Sequence, residues 1–447
     1  MIPPLPQGFS LTLDVDTVRL NEGAWFRASS GLALRLTTPG VLAWEELSAG
    51  TVNSRRAGRL ARRLTDDGFA HPVPPSLREK PDLSVVIPVR DRIPDLERCL
   101  TSLGTTYPVV VVDDGSLDAA AVAQVAAAHG ARLIRLATNR GPAAARNVGF
   151  AALDTDLVAF VDSDTVPGRH WIARLAAHFA DPAVGAVAPR VVPLVQASTV
   201  GKYAAARCSL DLGQLPARVV PYGRVSYVPA AALLVRRRAV LDVALGHDVF
   251  DAQLRTGEDV DLVWRLHEAG WRVRYDPGEE VGHREPSTWR GLLRRRHSYG
   301  LSASVLARRH PSAMAPLFLV PGLARQLIAG VIRRRRTGSD ELARLSTSAG
   351  VRGTLQTWRG TGRYLVQFAP WLLAVGMLNR RTRLATAALA LAPVLGEWRG
   401  RRSPIDPLSF SIGYLADEIS YGSGVIAGCI RNRTLVPLRP VVVRRSS

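Results

Sequence analysis

The sequence predicts an α/β protein whose centre is a doubly wound sheet between residues 82 and 300. Two observations support this fold class. Apolar, β-branched runs alternate with helical patterns from residue 83 to residue 162, and two of these runs end in acidic residues. A third observation separates the last part of the chain, because the whole excess of positive charge lies after residue 289. We therefore expect a small unit before the sheet, over residues 1–75, and a helical region after it, over residues 301–447.

The first 75 residues predict a small winged-helix-like unit. The segment TVRLNEGAWFRASSGLALRLT indicates two or three short strands, and two helices follow over residues 38–51 and 54–73. Leu60, Leu64 and Phe69 share one apolar face of the second helix, and a Pro-rich linker ends the unit. This β-β-β-α-α order resembles a RiPP recognition element, a small peptide-binding domain. A generic winged helix or a structural cap is the alternative.

The central region alternates strand and helix in the order expected of a parallel sheet with right-handed crossovers. LSVVIPV is a run dominated by β-branched residues, which is typical of a strand buried on both faces. The predicted series continues with a helix over 94–103, strand YPVVVVDD, helix LDAAAVAQVAAAHG, strand ARLIRLA, helix GPAAARNVGFAAL and strand DLVAFVD. Ligands bind beyond the carboxyl ends of strands in such sheets.

The last third of the chain is basic and apolar. From residue 290 onward it holds 26 Arg and no Lys against 6 Asp and Glu, which accounts for the net charge of +20. Residues 313–336 form an amphipathic basic segment, and two apolar runs follow over 368–378 and 384–396. Neither run reaches the roughly 20 residues that span a membrane. They predict either an interfacial helical pair on an anionic membrane surface or a soluble helical appendage.

Other compositional features narrow the class of protein. The three cysteines are far apart, so neither a disulfide framework nor a zinc site is expected, and a reducing cytoplasm fits. The first ten residues, MIPPLPQGFS, lack the features of a secretory signal. Nucleic-acid binding is not expected, because no basic groove interleaved with aromatic residues accompanies the charge.

Acidic residues follow two of the predicted strands. Asp113 and Asp114 end the second strand, and Asp162, Ser163 and Asp164 follow the fourth. The first pair is also compatible with a simple turn and helix cap at Gly115 and Ser116. The D-x-D pattern after a central strand suits Mg²⁺ or Mn²⁺, which take oxygen ligands and share phosphate oxygens.

Two helix starts carry further polar residues. Arg146 lies in the helix that opens with Gly141 and Pro142, where it either is solvated or faces an anionic ligand. The stretch TGEDVDLVWRLHEAGW places Glu258, Asp259 and Asp261 in a first helical turn. Acids there are favoured by the helix dipole, so only their context can indicate chemistry.

Six motifs stand in the order seen in family 2 glycosyltransferases with the GT-A fold: VVIPVRDR, VVVVDDGS, NRGPAAARNVG, VAFVDSD, VSYVPAAALLVRRRAV and GEDVDLVWRLHEAGWRVRYDPGEEVGH. The chain resembles this family over about 200 residues. The resemblance implies transfer of a sugar from a nucleotide-diphosphate donor with inversion at the anomeric carbon. It departs from the usual pattern at Arg90 and Asp91, where an aromatic residue and Asn are common, so Arg90 is expected to approach a phosphate instead.

The resemblance also implies roles for individual residues. Asp259 matches the catalytic base, while Asp164 and His283 match the metal ligands. Glu258, Arg296 and His297 are expected near the acceptor or the leaving diphosphate, although the run RRRHSYG is equally compatible with solvated charge. The expected donor-binding residues are Pro88, Arg90, Asp91, Asp113, Asp114, Arg146, Asp162 and Ser163.

Inverting transfer needs one carboxylate to accept the proton of the acceptor hydroxyl and another to hold the cation at the leaving diphosphate. Asp259 and Asp164 are expected to fill these two roles. The full chain is similar to the glycosyltransferases of mycofactocin biosynthesis. That similarity implies UDP-glucose as donor and a peptide-derived redox cofactor precursor as acceptor. The alternatives are a membrane-associated transferase acting on a lipid-linked or cell-wall glycan, and an inactive nucleotide-sugar-binding scaffold.

Overall fold

The computed structural model describes residues 3–20, 24–27, 32–194, 197–314, 318–319, 340–401 and 403–442. The strands are β1 Ser10–Leu13, β2 Thr17–Leu20, β3 Ala24–Arg27, β4 Leu32–Arg35, β5 Ala70–Val73, β6 Leu83–Val89, β7 Val109–Asp113, β8 Arg132–Arg135, β9 Leu157–Val161, β10 Thr165–Pro167, β11 Val184–Pro193, β12 Ala217–Arg218, β13 Ala232–Arg236, β14 Arg272–His283, β15 Phe318–Leu319 and β16 Val441–Val442.

The α-helices are α1 Thr38–Ala49, α2 Arg55–Asp66, α3 Ile93–Leu103, α4 Ala119–Ala128, α5 Pro142–Ala151, α6 Trp171–Ala176, α7 Thr199–Ala206, α8 Arg237–Asp242, α9 Glu258–Glu268, α10 Trp289–Arg309, α11 Asp340–Phe368, α12 Pro370–Leu378, α13 Arg383–Gly400 and α14 Pro407–Arg431. Short 3₁₀ helices cover Ala177–Ala180 and Val436–Leu438. Every strand and helix predicted between residues 83 and 162 is present, with ends that differ by a few residues.

The chain divides into two compact units. The sheet unit comprises residues 1–12, 46–196 and 207–285, and the helical unit comprises residues 13–45, 197–206 and 286–447. The boundaries predicted from the sequence, at residues 75 and 300, stay predictions.

The sheet unit is built on one mixed sheet of nine strands. Its order is β10-β14-β11-β13-β9-β6-β7-β8, and β12 pairs with β14. The strands β8, β7, β6 and β9 are mutually parallel, which agrees with the predicted crossovers. Beyond β9 the sheet changes direction, because β13 runs antiparallel to both β9 and β11. The strands predicted from the sequence end at residue 162, so β13 and the half of the sheet beyond it are not among the predicted elements.

Close packing of α5 on the sheet sets the position of its polar residues. Gly149 faces two strands, and a Cβ at this position would lie 2.4 Å from Val86 Cγ1 and 3.1 Å from Val112 Cγ2. A side chain does not fit there, so the helix lies directly on β6 and β7. Arg146, about one turn earlier in the same helix, is thereby held close to the carboxyl ends of these strands.

The N-terminal elements follow the predicted order of strands and helices. In the helical unit, β2, β3 and β4 form an antiparallel three-stranded sheet. In the sheet unit, β1 pairs with β5, and α2 is held by buried ion pairs. Arg62 NH2 lies 2.7 Å from Asp181 Oδ1, and Arg272 NH2 lies 2.6 Å from Asp66 Oδ2. These pairs join α2 to β14 and to the turn that precedes β11.

The helical unit contains buried charge that is paired between helices. Asp417 and Glu418, both buried in α14, bind Arg296 of α10 and Arg363 of α11. The predicted amphipathic segment 313–336 lies almost entirely outside the described residues. The apolar runs form α12 and α13, and in the described part of the chain no helix is long and apolar enough to cross a membrane.

Candidate active site

A cleft of about 470 Å³ opens at the carboxyl ends of β6, β7 and β9 in the sheet unit. This is the edge where ligands of such sheets bind. Five of the predicted donor-binding residues and the predicted metal ligand Asp164 line it. The lining residues are Pro88, Val89, Arg90, Arg92, Asp114, Asn139, Arg140, Gly141, Pro142, Asp162, Ser163, Asp164, Ala252, Gln253 and Arg255.

The loop after β7 is fixed by its own two carboxylates. Asp114 accepts hydrogen bonds from the backbone N–H groups of Arg140, at 2.7 Å, and Gly141, at 2.8 Å. Asp113 is fully buried and accepts from the Ser116 N–H at 2.9 Å. Gly115, which follows Asp114, has φ of 73°, a conformation that favours glycine. Both acids therefore shape this loop, and Asp114 also faces the cleft.

The two residues that depart from the usual family pattern have different surroundings. Arg90 lines the cleft and is half exposed. Asp91 has φ of 54°, and its Oδ1 accepts a hydrogen bond of 2.7 Å from the Leu117 N–H. The Asp91 carboxylate thus binds the loop after β7 and is not one of the cleft-lining residues. Its predicted contact with the donor stays a prediction.

A buried arginine connects two carboxylates from different parts of the sequence. Arg146 NH2 lies 2.5 Å from Asp162 Oδ1, and Arg146 NH1 lies 2.7 Å from Glu258 Oε1. Burial alone would lower the pKa of Arg146, but Asp162 and Glu258 raise it above its ordinary value. The guanidinium is therefore a permanent positive charge between these acids.

Asp259 occupies the first turn of α9. Gly257 precedes this helix with φ of 84°, so the chain turns sharply into it. The Asp259 carboxylate accepts from the Val260 N–H at 2.8 Å and from the Ala230 N–H at 3.2 Å. Burial and the neighbouring Glu258 raise the pKa of Asp259 to about 7, against the lowering effect of Arg146 and these N–H groups. A carboxylate with this pKa is suited to take up a proton near neutral pH.

Asp261 keeps the structural role expected for an acid at a helix start. It is fully buried, and its Oδ2 accepts a 2.8 Å hydrogen bond from Arg265 Nε, one turn along α9. Arg265 also donates to the Val249 carbonyl at 2.7 Å. This pair anchors the helix whose first turn carries Asp259.

Asp164, which lines the cleft, lies close to His283. Asp164 Oδ1 lies 3.6 Å from His283 Nε2, and His283 Nδ1 lies 3.1 Å from Glu285 Oε1. Burial alone would lower the pKa of His283, but Glu285 and Asp164 raise it. Arg92 NH1 donates a hydrogen bond to the second oxygen of Asp164.

These donors fit a divalent cation that shares its coordination with a ligand. In the described part of the chain, no three His, Cys, Asp or Glu side chains form a complete metal cage. One carboxylate oxygen and one imidazole nitrogen leave most positions open, and Mg²⁺ commonly takes those from water and substrate phosphates.

The remaining predicted residues, Arg296 and His297, belong to the helical unit. Arg296 Nε lies 2.5 Å from Asp417 Oδ1, and its guanidinium stacks 5.3 Å from the centre of the Tyr421 ring. His297 Nδ1 lies 3.0 Å from Ser423 Oγ. Arg296 is therefore a paired residue, not a solvated one, and the predicted diphosphate contact of both stays a prediction.

Comparison with known proteins assigns the chain to a family. A curated relative from Mycobacterium tuberculosis, named pre-mycofactocin glycosyltransferase, is 36% identical over 474 residues, covering 98% of each chain. The chain belongs to this glycosyltransferase family. The family model described as Glycosyl transferase family 2 matches residues 84–240 of the enzyme. The predicted family 2 membership and GT-A fold are thus confirmed.

More distant proteins are similar to this glycosyltransferase over part of its length. The poly-beta-1,6-N-acetyl-D-glucosamine synthase of Staphylococcus aureus is 26% identical over 243 residues, which is 51% of this chain and 58% of the synthase. A mannosyltransferase from Pyrobaculum calidifontis, solved with GDP-Man and Mn²⁺, is 18% identical with a TM-score of 0.47. That comparison covers 81% of this chain and 89% of the mannosyltransferase.

Several residues of the glycosyltransferase site were not found by sequence reasoning. Arg92 directly follows Asp91, and Glu285 lies two residues after His283. This closeness in sequence to predicted site residues was the signal that could have identified them. Arg255 and Gln253 line the cleft from the loop before α9, and Ala230 holds Asp259 through its backbone. A backbone donor leaves no trace in residue identity, so Ala230 could not be found.

Proposed function

We propose that this glycosyltransferase transfers glucose from UDP-glucose, with inversion, to pre-mycofactocin, a peptide-derived redox cofactor precursor. The observation that carries the proposal is the pairing of a cleft rich in carboxylates with a separate, half-buried carboxylate, Asp259, whose pKa of about 7 suits a general base. The named substrate of the 36% identical relative supports the acceptor.

The donor would lie in the cleft with its nucleoside over the loop after β7. Asp114 lines this end, and Asp113 holds the loop. Arg90 and Arg255 line the cleft as exposed cations and are suited to phosphate oxygens. Asp162 and Ser163 also line the cleft, and they would contact the ribose.

Inversion requires the acceptor hydroxyl to attack opposite the departing diphosphate. Asp259 would accept the hydroxyl proton as the new glycosidic bond forms, and the bond from the anomeric carbon to the diphosphate oxygen breaks. The backbone N–H groups of Val260 and Ala230 hold this carboxylate in one orientation. Glu258 would orient the acceptor hydroxyl.

Asp164 and His283 would hold Mg²⁺ or Mn²⁺. When bound, the cation supplies positive charge that neutralises the leaving diphosphate. Glu285 Oε1 lies 3.1 Å from Nδ1 of His283, where it would accept the ring N–H and hold Nε2 towards Asp164. The winged-helix-like N-terminal segment would recognise the peptide-derived part of the acceptor.

Product analysis by mass spectrometry tests the proposal. Purified enzyme is incubated with UDP-glucose, UDP-galactose or GDP-mannose and either pre-mycofactocin or a polyprenyl phosphate. We expect a mass increase of one or more hexoses on pre-mycofactocin with UDP-glucose. Hexose transfer to the polyprenyl phosphate alone would instead establish the lipid-linked alternative, and no transfer to either acceptor would support a binding scaffold.

A specific surface of the helical unit favours membrane association of this enzyme. Helix α12, PWLLAVGML, has no buried residue, and Trp371 and Leu378 are 63% and 86% exposed. Arg380, Arg381 and Arg383 follow directly and are exposed. We propose that α12 lies in the headgroup region of an anionic bilayer, because Trp favours that region and each Arg near it contributes about 1 kcal/mol.

Vesicle flotation tests this membrane contact. The wild-type enzyme is expected to float with vesicles containing phosphatidylglycerol and to float less with pure phosphatidylcholine or in high salt. The double variant Trp371→Glu/Leu378→Glu should lose flotation at least about tenfold, whereas Leu117→Glu, at an exposed leucine of the sheet unit, should not. Equal flotation of the two variants, or none of the wild type, would reject α12 as the contact.

A further inference from the structure

We propose that Arg146 is a positioning residue that links the donor side of the cleft to the helix carrying the base, so that one guanidinium fixes both the place of Glu258 and the charge around Asp259. The inference rests on the proposed function, in which Asp259 takes the acceptor proton. It differs from the sequence-based expectation that Arg146 contacts the donor.

Both terminal nitrogens of Arg146 donate hydrogen bonds to carboxylates. One lies 2.5 Å from Asp162, beside the predicted metal ligand Asp164, and the other lies 2.7 Å from Glu258. The side chain is only 4% exposed, and its guanidinium lies 5.5 Å from the centre of the Phe250 ring. A planar fork held in this way has a defined orientation.

The next residue, Asn147, strengthens the same link. Its side-chain amide donates to the Phe250 carbonyl at 2.7 Å, and its amide oxygen accepts from the Phe250 N–H at 2.9 Å. Two successive residues of α5 therefore hold the start of the 250–257 loop and the first turn of α9. Because Gly149 seats α5 on the sheet, the base is positioned from the same helix that contacts the donor-side acid.

Two charges act on Asp259 in opposite directions. Burial and Glu258 raise the pKa of Asp259, whereas Arg146 and the N–H groups of Val260 and Ala230 lower it. The other acid of this turn, Asp261, is paired with Arg265, and Asp162 lies on the far nitrogen of Arg146. An opposite charge within about 4–6 Å lowers a carboxyl pKa by about 1–3 units, and a like charge raises it.

The pH dependence of kcat/KM distinguishes this link from a merely structural role. UDP release from UDP-glucose with pre-mycofactocin is measured from about pH 5 to 9. In the wild type, activity should fall below about pH 7 as Asp259 becomes protonated. Arg146→Met should move this acidic limb upward by about one unit or more, and Glu258→Gln should move it downward. The double variant should return close to the wild-type limb.

Two further variants complete the design. Arg146→Lys keeps the charge but not the fork, so its limb should stay in place while kcat falls. Arg169→Met, a matched loss of an exposed guanidinium in the sheet unit, should change neither. Melting temperature and UDP affinity are measured for every variant to exclude unfolding. If Arg146→Met does not fold, Arg146→Lys decides, because a loss of kcat with an unmoved limb is expected only when the planar fork, and not the charge alone, positions Glu258.

The inference would be overturned if the acidic limbs of Arg146→Met and Glu258→Gln stay at the wild-type pH, or if both limbs move in the same direction. Asp259→Asn separates this failure from failure of the proposed function. If that variant is inactive and the limbs do not move, Asp259 remains the base and only the link through Arg146 is wrong. If Asp259→Asn keeps near-normal turnover, both are wrong.

Discussion

Asp259→Asn is expected to lower kcat about a hundredfold to ten-thousandfold while UDP-glucose affinity stays within about threefold. The amide keeps the shape of the carboxylate but cannot accept the acceptor proton. The Asn amide oxygen can keep one of the two hydrogen bonds from the Val260 and Ala230 N–H groups, and the Asp261–Arg265 pair still anchors the start of α9. The loss should appear in single-turnover experiments as well as in kcat, since it concerns the chemical step.

A matched control is available on the same helix. Glu268→Gln removes one acidic charge from the exposed end of α9 and should leave kcat within about twofold. Donor binding is measured by calorimetry with UDP in all three proteins. Near-normal turnover of Asp259→Asn would reject the base assignment, and loss of UDP binding would show that the residue supports the cleft instead.

Removal of divalent cations is expected to lower activity by at least about a hundredfold, and added Mn²⁺ or Mg²⁺ should restore it. Asp164→Asn should cause a similar loss that added metal does not correct. His283→Gln should weaken Mn²⁺ binding about tenfold to a hundredfold. Calorimetry of Mn²⁺ binding in the presence of UDP measures these effects independently of turnover.

The control for these variants is Asp154→Asn, which changes a fully exposed aspartate of the same unit. It should alter neither Mn²⁺ binding nor turnover. Full activity in excess EDTA would rule out a catalytic cation at Asp164. Unchanged Mn²⁺ binding in Asp164→Asn would move the metal site elsewhere, even if chelation stops the reaction.

Some features of the fold could be predicted because local sequence determines them. β6, β7 and β9 are apolar except for Ser84 and the last residue of β7, Asp113, and a strand buried on both faces favours that composition. Parallel strands in one sheet bring their carboxyl ends together, so Asp114, Asp162 and Asp164 were expected in one cleft and do line it.

Other features depend on contacts that no local pattern encodes. Arg146 and Glu258 are separated by 112 positions, and Arg296 and Asp417 by 121. The reversed strand β13 is as apolar as its neighbour β9 until its last residue, so its composition does not reveal its direction. Asp91 adopts a positive φ that directs its carboxylate to Leu117, and residue type alone does not predict that conformation.

Gly149 carries no chemistry, yet it limits how this enzyme can change over evolution. Any side chain there would push α5 away from Val86 and Val112. The displacement would carry Arg146 with it and stretch its hydrogen bonds to Asp162 and Glu258. These two acids are far apart in the sequence, but both bind the same guanidinium. Relatives that retain this three-residue arrangement are therefore expected to retain glycine at the matching position, whatever sugar or acceptor they have come to use.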